Sequence, residues 1–295
     1  MVMSIENSLI TEFSDMVHHE AQQTESLLNP YVITKQMSGD VFAYDGLGPV
    51  EARELVGRVV PVTFDDITHN RRKIARRRFA VTLPIDSSDV RGALLDVNGE
   101  YAKACAAAMM RKRDKVIADA AFADVLTGRD FSTTVTFAND GGLTIDATAG
   151  LTYERLLEID ENFIDNAVGF DPANSKKFLT LTGGEHTDLM GEIELVSGDY
   201  TRQFAVEKGQ LTNAMGYDLV KFPANAPFPI LTVSGSERFL IAATQKAFCV
   251  GVSKEMSVKV TERNDYHEVT QVEVIMEIGA VRTEGALVQK VRVTA

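Results

Sequence analysis

Arg71-Arg72-Lys73-Ile74-Ala75-Arg76-Arg77-Arg78 places six cations in eight residues of a chain whose formal charge is −12. On either side stand Val59-Val60-Pro61-Val62-Thr63-Phe64 and Phe79-Ala80-Val81-Thr82-Leu83-Pro84-Ile85. Both flanks are rich in β-branched and aromatic residues, which fit the pleated surface of a strand. The expected object is a long two-stranded ribbon over residues 55–88, with Arg71, Arg72, Lys73, Arg76, Arg77 and Arg78 on its outer part. An isolated ribbon is barely stable in water, so it needs a surface to lie on. Without the six cations the charge becomes −18, and an acidic face of an identical subunit is the expected surface. The plainer alternative is a solvated basic face.

The chain has 295 residues, 45% of them hydrophobic, enough to bury a real core in two domains or in one large body with extensions. Its net acidity argues against general affinity for nucleic acid, which requires a basic face. Cys105 and Cys249 offer neither a metal knuckle nor a disulfide framework, which fits a reducing compartment. Met1 to Asn7 lacks a basic region followed by an apolar run, and no unbroken apolar stretch reaches the roughly 18 residues that span a bilayer. A soluble protein made inside a cell is expected.

From Ser4 to about Leu28, apolar Ile5, Leu9, Ile10, Phe13, Met16 and Val17 recur at helical spacing, and Asn29-Pro30 ends the pattern. The glycine- and proline-punctuated segment that follows, through Gly46-Leu47-Gly48-Pro49, reads as an extended arm lying on something else. Beyond the ribbon, Asp86-Ser87-Ser88-Asp89 supplies N-cap chemistry for a helical region that is clearest from 98 to 126. Its Ala-, Met-, Lys- and Arg-rich core consists of strong helix formers, about 40 Å of spine, stopped by Gly128.

Thr152 then caps a second helix with Tyr153, Leu156, Leu157, Ile159, Phe163 and Ile164 on its apolar side. Lys177 to Thr182 reads as a buried strand, Glu185 to Leu195 as a short helix, and Met215 to Val220 as another strand. After Arg238 the chain is largely strand: Phe239 to Ala243, Ala247 to Val252, Ser257 to Val260, and Glu268 to Ile278, where Gly279 permits a turn. Val291 and Val293 continue into a last strand, expected in a sheet beside the spine.

Catalytic signatures are sparse. The histidines are His18, His19, His69, His186 and His267, and adjacent His18-His19 lacks the one-face spacing of paired metal ligands. His186, in Gly183-Gly184-Glu185-His186-Thr187-Asp188, reads as a glycine turn into a capped helix rather than an active-site loop. Glu158, Asp160 and Glu161 read as a solvated acidic face. Neither a nucleophile elbow, a phosphate loop nor a dinucleotide fingerprint is present. No catalytic residue, cofactor or metal is expected.

The order of these parts resembles the major capsid proteins of tailed bacteriophages, the Hong Kong 97 fold. The most similar local text is Phe178-Leu179-Thr180-Leu181-Thr182 and the short helix after it, Ser197-Gly198-Asp199-Tyr200, Glu207-Lys208-Gly209-Gln210, and Met215-Gly216-Tyr217-Asp218-Leu219-Val220-Lys221-Phe222-Pro223. Ala242 to Val252 and Ile278-Gly279-Ala280-Val281 resemble the family's C-terminal portion. The resemblance implies an α+β fold with an N-terminal helix and arm (1–54), an extended loop (55–88), a peripheral domain with the spine helix (89–150 and 262–295) and a mixed axial domain (151–261). It further implies a structural, non-enzymatic subunit that assembles with copies of itself into pentamers and hexamers. These would form an icosahedral head, built in the host cytoplasm, around double-stranded DNA bound without sequence specificity. Scaffolding, portal and decoration proteins are the implied partners. Self-crosslinking is not carried over, because no lysine and asparagine pair here matches its motif. The alternatives are an encapsulin-like compartment and, from other classes, a nucleic-acid binder using Arg71 to Arg78 or an enzyme built around His186.

Overall fold

The computed structural model describes residues 23–54, 64–85, 97–170, 176–192, 211–224, 229–263 and 269–295. A 3-10 turn at Asn29–Tyr31 leads to β1 (Ile33–Gln36), β2 (Val41–Leu47), β3 (His69–Ala75) and β4 (Arg77–Ile85). The spine α1 (Val97–Phe122) is followed by β5 (Val125–Thr127), β6 (Thr133–Val135), β7 (Leu143–Asp146) and α2 (Tyr153–Asp165). Then come β8 (Lys177–Leu181), α3 (Gly183–Gly191), β9 (Asn213–Ala214), β10 (Tyr217–Lys221), β11 (Val233–Ser234) and β12 (Glu237–Thr244). The long β13 (Phe248–Arg263) and β14 (Val269–Arg282) precede the last strand, β15 (Val288–Thr294).

The strands form three sheets. The first, β1-β13-β14-β4, carries α1 on one face. Alternation in β14 turns Val272, Val274, Met276 and Ile278 inward, and β4 turns Phe79, Val81, Leu83 and Ile85 to the same side. Pro84 is tolerated because β4 is an edge strand among the described residues. The second sheet runs β7-β15-β12-β8-β10-β9 and shares one continuous core with α1 and α2. The third, β2-β3-β5-β6, covers the other face of the first. From Asp114 to Ala121 the spine is buried on nearly every side except at Lys115 and Asp119, which explains its alanines: large side chains would hold the layers apart.

The α+β class holds, and several local expectations are corrected. The basic residues do not cap a ribbon of two mutually paired strands: Arg71, Arg72 and Lys73 lie in β3, Arg77 and Arg78 in β4, and Arg76 between the two. β3 pairs with β2, β4 pairs along its whole length with β14, and the expected partner strand at Val59–Phe64 lies mostly outside the described residues. So do the caps at Asp86 to Asp89 and the helix expected from Ser4 to Leu28 as far as Gln22; its described end, residues 23–28, is not helical. The arm after Pro30 contains strands: β1 lies parallel to β13 and β2 antiparallel to β3. The spine stops at Phe122, ahead of β5, and Gly128, at φ 93°, makes the β5–β6 turn instead. Ser257–Val260 is not a separate strand, because β13 continues through register shifts between Val252 and Ser257. On α2, Leu157 and Ile164 face out while Leu156, Ile159 and Phe163 are buried. The last strand, β15, joins β7 and β12 in the second sheet, which shares its core with the spine, in line with the expectation of a sheet beside that helix.

Gly279 is the most instructive correction. No turn occurs there: β14 runs straight through it, and it sits opposite Gly251 of β13. Fully buried Ile74 of β3 rests over this glycine pair. A Cβ on Gly279 would overlap the Ala75 carbonyl and stand 2.9 Å from Ile74, and one on Gly251 would overlap the Met37 side chain. The two glycines therefore set the distance between the first and third sheets. Gly279→Ala should cost about 1–3 kcal/mol through overpacking, read as a lower denaturant midpoint of the unassembled subunit. An unchanged midpoint would show that this contact is loose.

Candidate assembly surface

Arg72 points inward from β3, and its guanidinium grips Asp140 with two bonds, Nη1–Oδ2 at 2.8 Å and Nη2–Oδ1 at 2.6 Å. Arg282, at the end of β14 and fully buried, donates Nε to the same carboxylate at 2.9 Å. Its Nη1 donates to the carbonyls of Ala121 (2.8 Å) and Ala123 (3.2 Å), so it also closes the C-terminus of the spine. Arg72 donates to the Arg282 carbonyl at 3.3 Å, and the Arg282 guanidinium lies 5.1 Å from the Phe137 ring centre. Two cations thus share one carboxylate, and the partial negative charge at the helix end offsets the excess. Burial pushes the Asp140 carboxyl up, but the two guanidiniums outweigh it and hold its pKa below the ordinary value.

The other basic residues follow from strand register. Asp45 stands opposite Arg71 across β2 and β3, and the exposed pair meets at 2.7 Å. Glu277 stands opposite Arg78 across β14 and β4; it receives Arg76 at 3.1 Å and Arg78 at 3.8 Å, and Arg76 also pairs with Asp40. Lys73 and Arg77 pair with no carboxylate among the described residues; both line a small cavity beside the end of α1. Four of the six cations are therefore engaged within their own chain.

A strap of residues 23–36 crosses the layers. Fully buried Asp114 of α1 accepts from the side chains of Gln23 and Ser26 and from the backbone N–H of Leu27 (2.9 Å) and Leu28 (3.3 Å). Burial raises its pKa against the pull of those bonds. Farther on, Tyr31 packs on Phe178 with ring centres 4.6 Å apart and donates to Asp218 at 3.2 Å. Burial, then the Asp218 charge, pushes its hydroxyl up to about 12. Asp114, Asp140 and Arg282 were absent from the sequence reading. Asp114 stands in Arg111-Lys112-Arg113-Asp114-Lys115, a run that reads as solvated charge, so no local signal marked its burial.

The chain matches the phage capsid protein family over residues 5–294. It belongs to that family. No curated protein is significantly similar in sequence. Among solved structures, the capsid of cyanophage P-SCSP1u superposes with a TM-score of 0.71 at 13% identity, covering 100% of this chain and 95% of that one. A structure from Mycobacterium phage Che8 gives 0.67 at 14% identity, with 95% and 96% covered. The acid-stable capsid of Helicobacter pylori bacteriophage KHP30 gives 0.71 at 10% identity, with 100% and 98% covered. The fold is that of phage capsids, as the Hong Kong 97-type expectation held, and the chain is a structural building block of an icosahedral head.

In this capsid protein the residues once weighed for catalysis serve the fold. Thr182 and Glu185 form a capping box at the start of α3, and the His186 Nε2 accepts the Leu211 N–H at 3.3 Å. Lys221 Nζ lies 3.0 Å from the same nitrogen; burial and then that ammonium lower the His186 pKa. Of the acidic trio, Glu158 pairs with Arg155 at 2.6 Å. Asp160 is not merely solvated, since it accepts from Lys177 (2.5 Å) and Tyr217 (3.2 Å). His69 is exposed on β3, and His18, His19 and His267 lie outside the described residues. No helix among the described residues is long and apolar enough to cross a membrane.

Asp140→Asn leaves two buried guanidiniums without a counter-charge and should cost about 3–5 kcal/mol, measured as a drop in the denaturant midpoint. The sign with pH follows from the lowered pKa. Asp140 contributes fully above its ordinary value of 3.8, and the contribution disappears as pH falls through the lower native value. The gap between wild type and Asp140→Asn should therefore narrow below about pH 4. A constant gap would contradict an ionised Asp140.

Proposed function

We propose that copies of this chain join as pentamers and hexamers into the shell of a tailed-phage head, built in the host cytoplasm, that encloses double-stranded DNA. The observation that carries this reading is the distribution of unsatisfied surface. Phe64 is 94% exposed, Leu47 69% and Phe170 70%, and Val50, Ile164, Val258 and Val260 are more than half exposed or close to it. Those residues belong to separate elements: Leu47, Val50 and Phe64 at or after the end of β2 and before β3, Val258 and Val260 in the second half of β13, and Ile164 and Phe170 on and just after α2. Large apolar side chains exposed on several separate elements suit a subunit that meets several neighbours at once.

The basic strands divide between two tasks. Arg71, Arg72, Arg76 and Arg78 have partners in their own chain, so register between copies falls mainly to Arg77, with Lys73 beside it and Arg78, whose side chain is 66% exposed, at the rim. Exposed ion pairs contribute only about 0–1 kcal/mol each, so apolar burial supplies most of the association. DNA is enclosed without sequence readout, which suits a chain of net charge −12. Scaffolding, portal and decoration proteins complete the set of partners. Family membership favours a genome-containing head over an encapsulin-like compartment.

Arg77→Glu separates assembly from folding, because Arg77 pairs with no carboxylate of its own chain among the described residues. The variant should unfold at the wild-type denaturant midpoint within about 0.5 kcal/mol yet yield few closed shells by electron microscopy. Wild-type numbers of shells would remove Arg77 from the contact. Uniform closed shells from wild-type protein expressed alone would remove the scaffolding requirement.

A further inference from the structure

The cavity beside the end of α1 has a volume of about 220 Å3, room for one aliphatic side chain. Buried Val116, Ala120, Val125 and Val281 line its inner side; half-buried Lys73 and exposed Arg77, Ala123 and Leu126 line its outer side. Of its two acids, Asp119 pairs with Lys115 at 2.7 Å and Asp124 acts on buried Arg282. Lys73 and Arg77 keep no carboxylate partner among the described residues. The site is therefore apolar within and cationic at its edge.

The outward side of α2 carries the opposite chemistry. Leu157 and Ile164, two helical turns apart, are 43% and 51% exposed. Glu154, Glu161 and Asp165 fall along one flank of that apolar stripe, all exposed and without an ion-pair partner among the described residues. Arg155, the one cation of the helix, is taken by Glu158 at 2.6 Å. Phe170, exposed just beyond the helix, adds apolar surface.

We propose that α2 of one copy docks on the junction of β3 and β4 in the next, with Leu157 and Ile164 over the cavity and Glu161 and its neighbours facing Arg77 and Lys73. The assignment rests on the self-association proposed above and names the two faces that meet. Apolar stripe meets apolar cavity, and unpaired acids meet unpaired cations. Both surfaces are exposed within one subunit, so neither is satisfied there. Two different patches in contact make a heterologous interface, which generates rings rather than two-fold pairs. A nucleic-acid phosphate would satisfy the cations and leave the cavity and the stripe uncovered.

The test uses the assembled shell. Ala123→Cys and Ile164→Cys are made separately and together, in a chain whose own Cys105 and Cys249 are buried. A short bis-maleimide added to shells of the double variant should link copies into a ladder that closes at pentamers and hexamers. Shells from an equal mixture of the two single variants should give dimers only, and neither single variant alone should link. Shells that form but do not link, or that link from one single variant, overturn this contact and leave self-association standing; wild-type protein that yields no particle overturns both. Independently, Glu161→Arg should lose shells as Arg77→Glu does, and the two changes together should regain them. Normal shells from Glu161→Arg, or no recovery in the combined variant, overturn the proposal.

Discussion

Two guanidiniums sharing one buried carboxylate hold together the corner on which the rest of the molecule depends. At Asp140 the strand bearing the basic cluster, the end of the long β13–β14 hairpin and the last turn of the spine all meet. A buried ion pair of this kind is weak evidence for net stability, because desolvation offsets most of the attraction. What it provides is position. Each guanidinium has a planar set of donors that accepts only one arrangement of carboxylate and carbonyls, so β3 cannot slide without stranding a buried charge.

Around that corner, packing fixes what charge cannot. Gly251 and Gly279 remove two side chains at the point where Ile74 crosses the first sheet, and the third sheet settles into the space. On the opposite face, small residues of α1 let the spine approach the first and second sheets, joining them into one core. The strap from Gln23 to Gln36 then ties three layers in sequence, through Asp114, Tyr31 and the parallel β1–β13 pairing. A shell subunit must transmit load between neighbours, and this arrangement leaves no layer attached by a single contact.

Much of this was legible in the sequence where the signal is local. The spine declared itself through a run of strong helix formers, and β8, β10 and β12 through short apolar runs. Misreadings arose where the cause is distant. Gly279 carries the same letter whether it makes a turn or admits a neighbouring strand, and only the position of Ile74 decides between them. The basic run looked unpartnered because Asp140 is 68 residues from Arg72 and Glu277 is 201 from Arg76. The family resemblance rested on the order of parts rather than on any one motif, which is why it survived errors in individual strands.

The central claim is that the basic strands are committed first to their own chain. A density map of the assembled shell, at a resolution that separates side chains, tests it most directly. The account predicts Arg72 and Arg282 on the Asp140 of the same polypeptide, with Arg76 on its own Glu277. Density showing Arg72 or Arg76 on a carboxylate of an adjacent copy, with β3 withdrawn from β2, would contradict it.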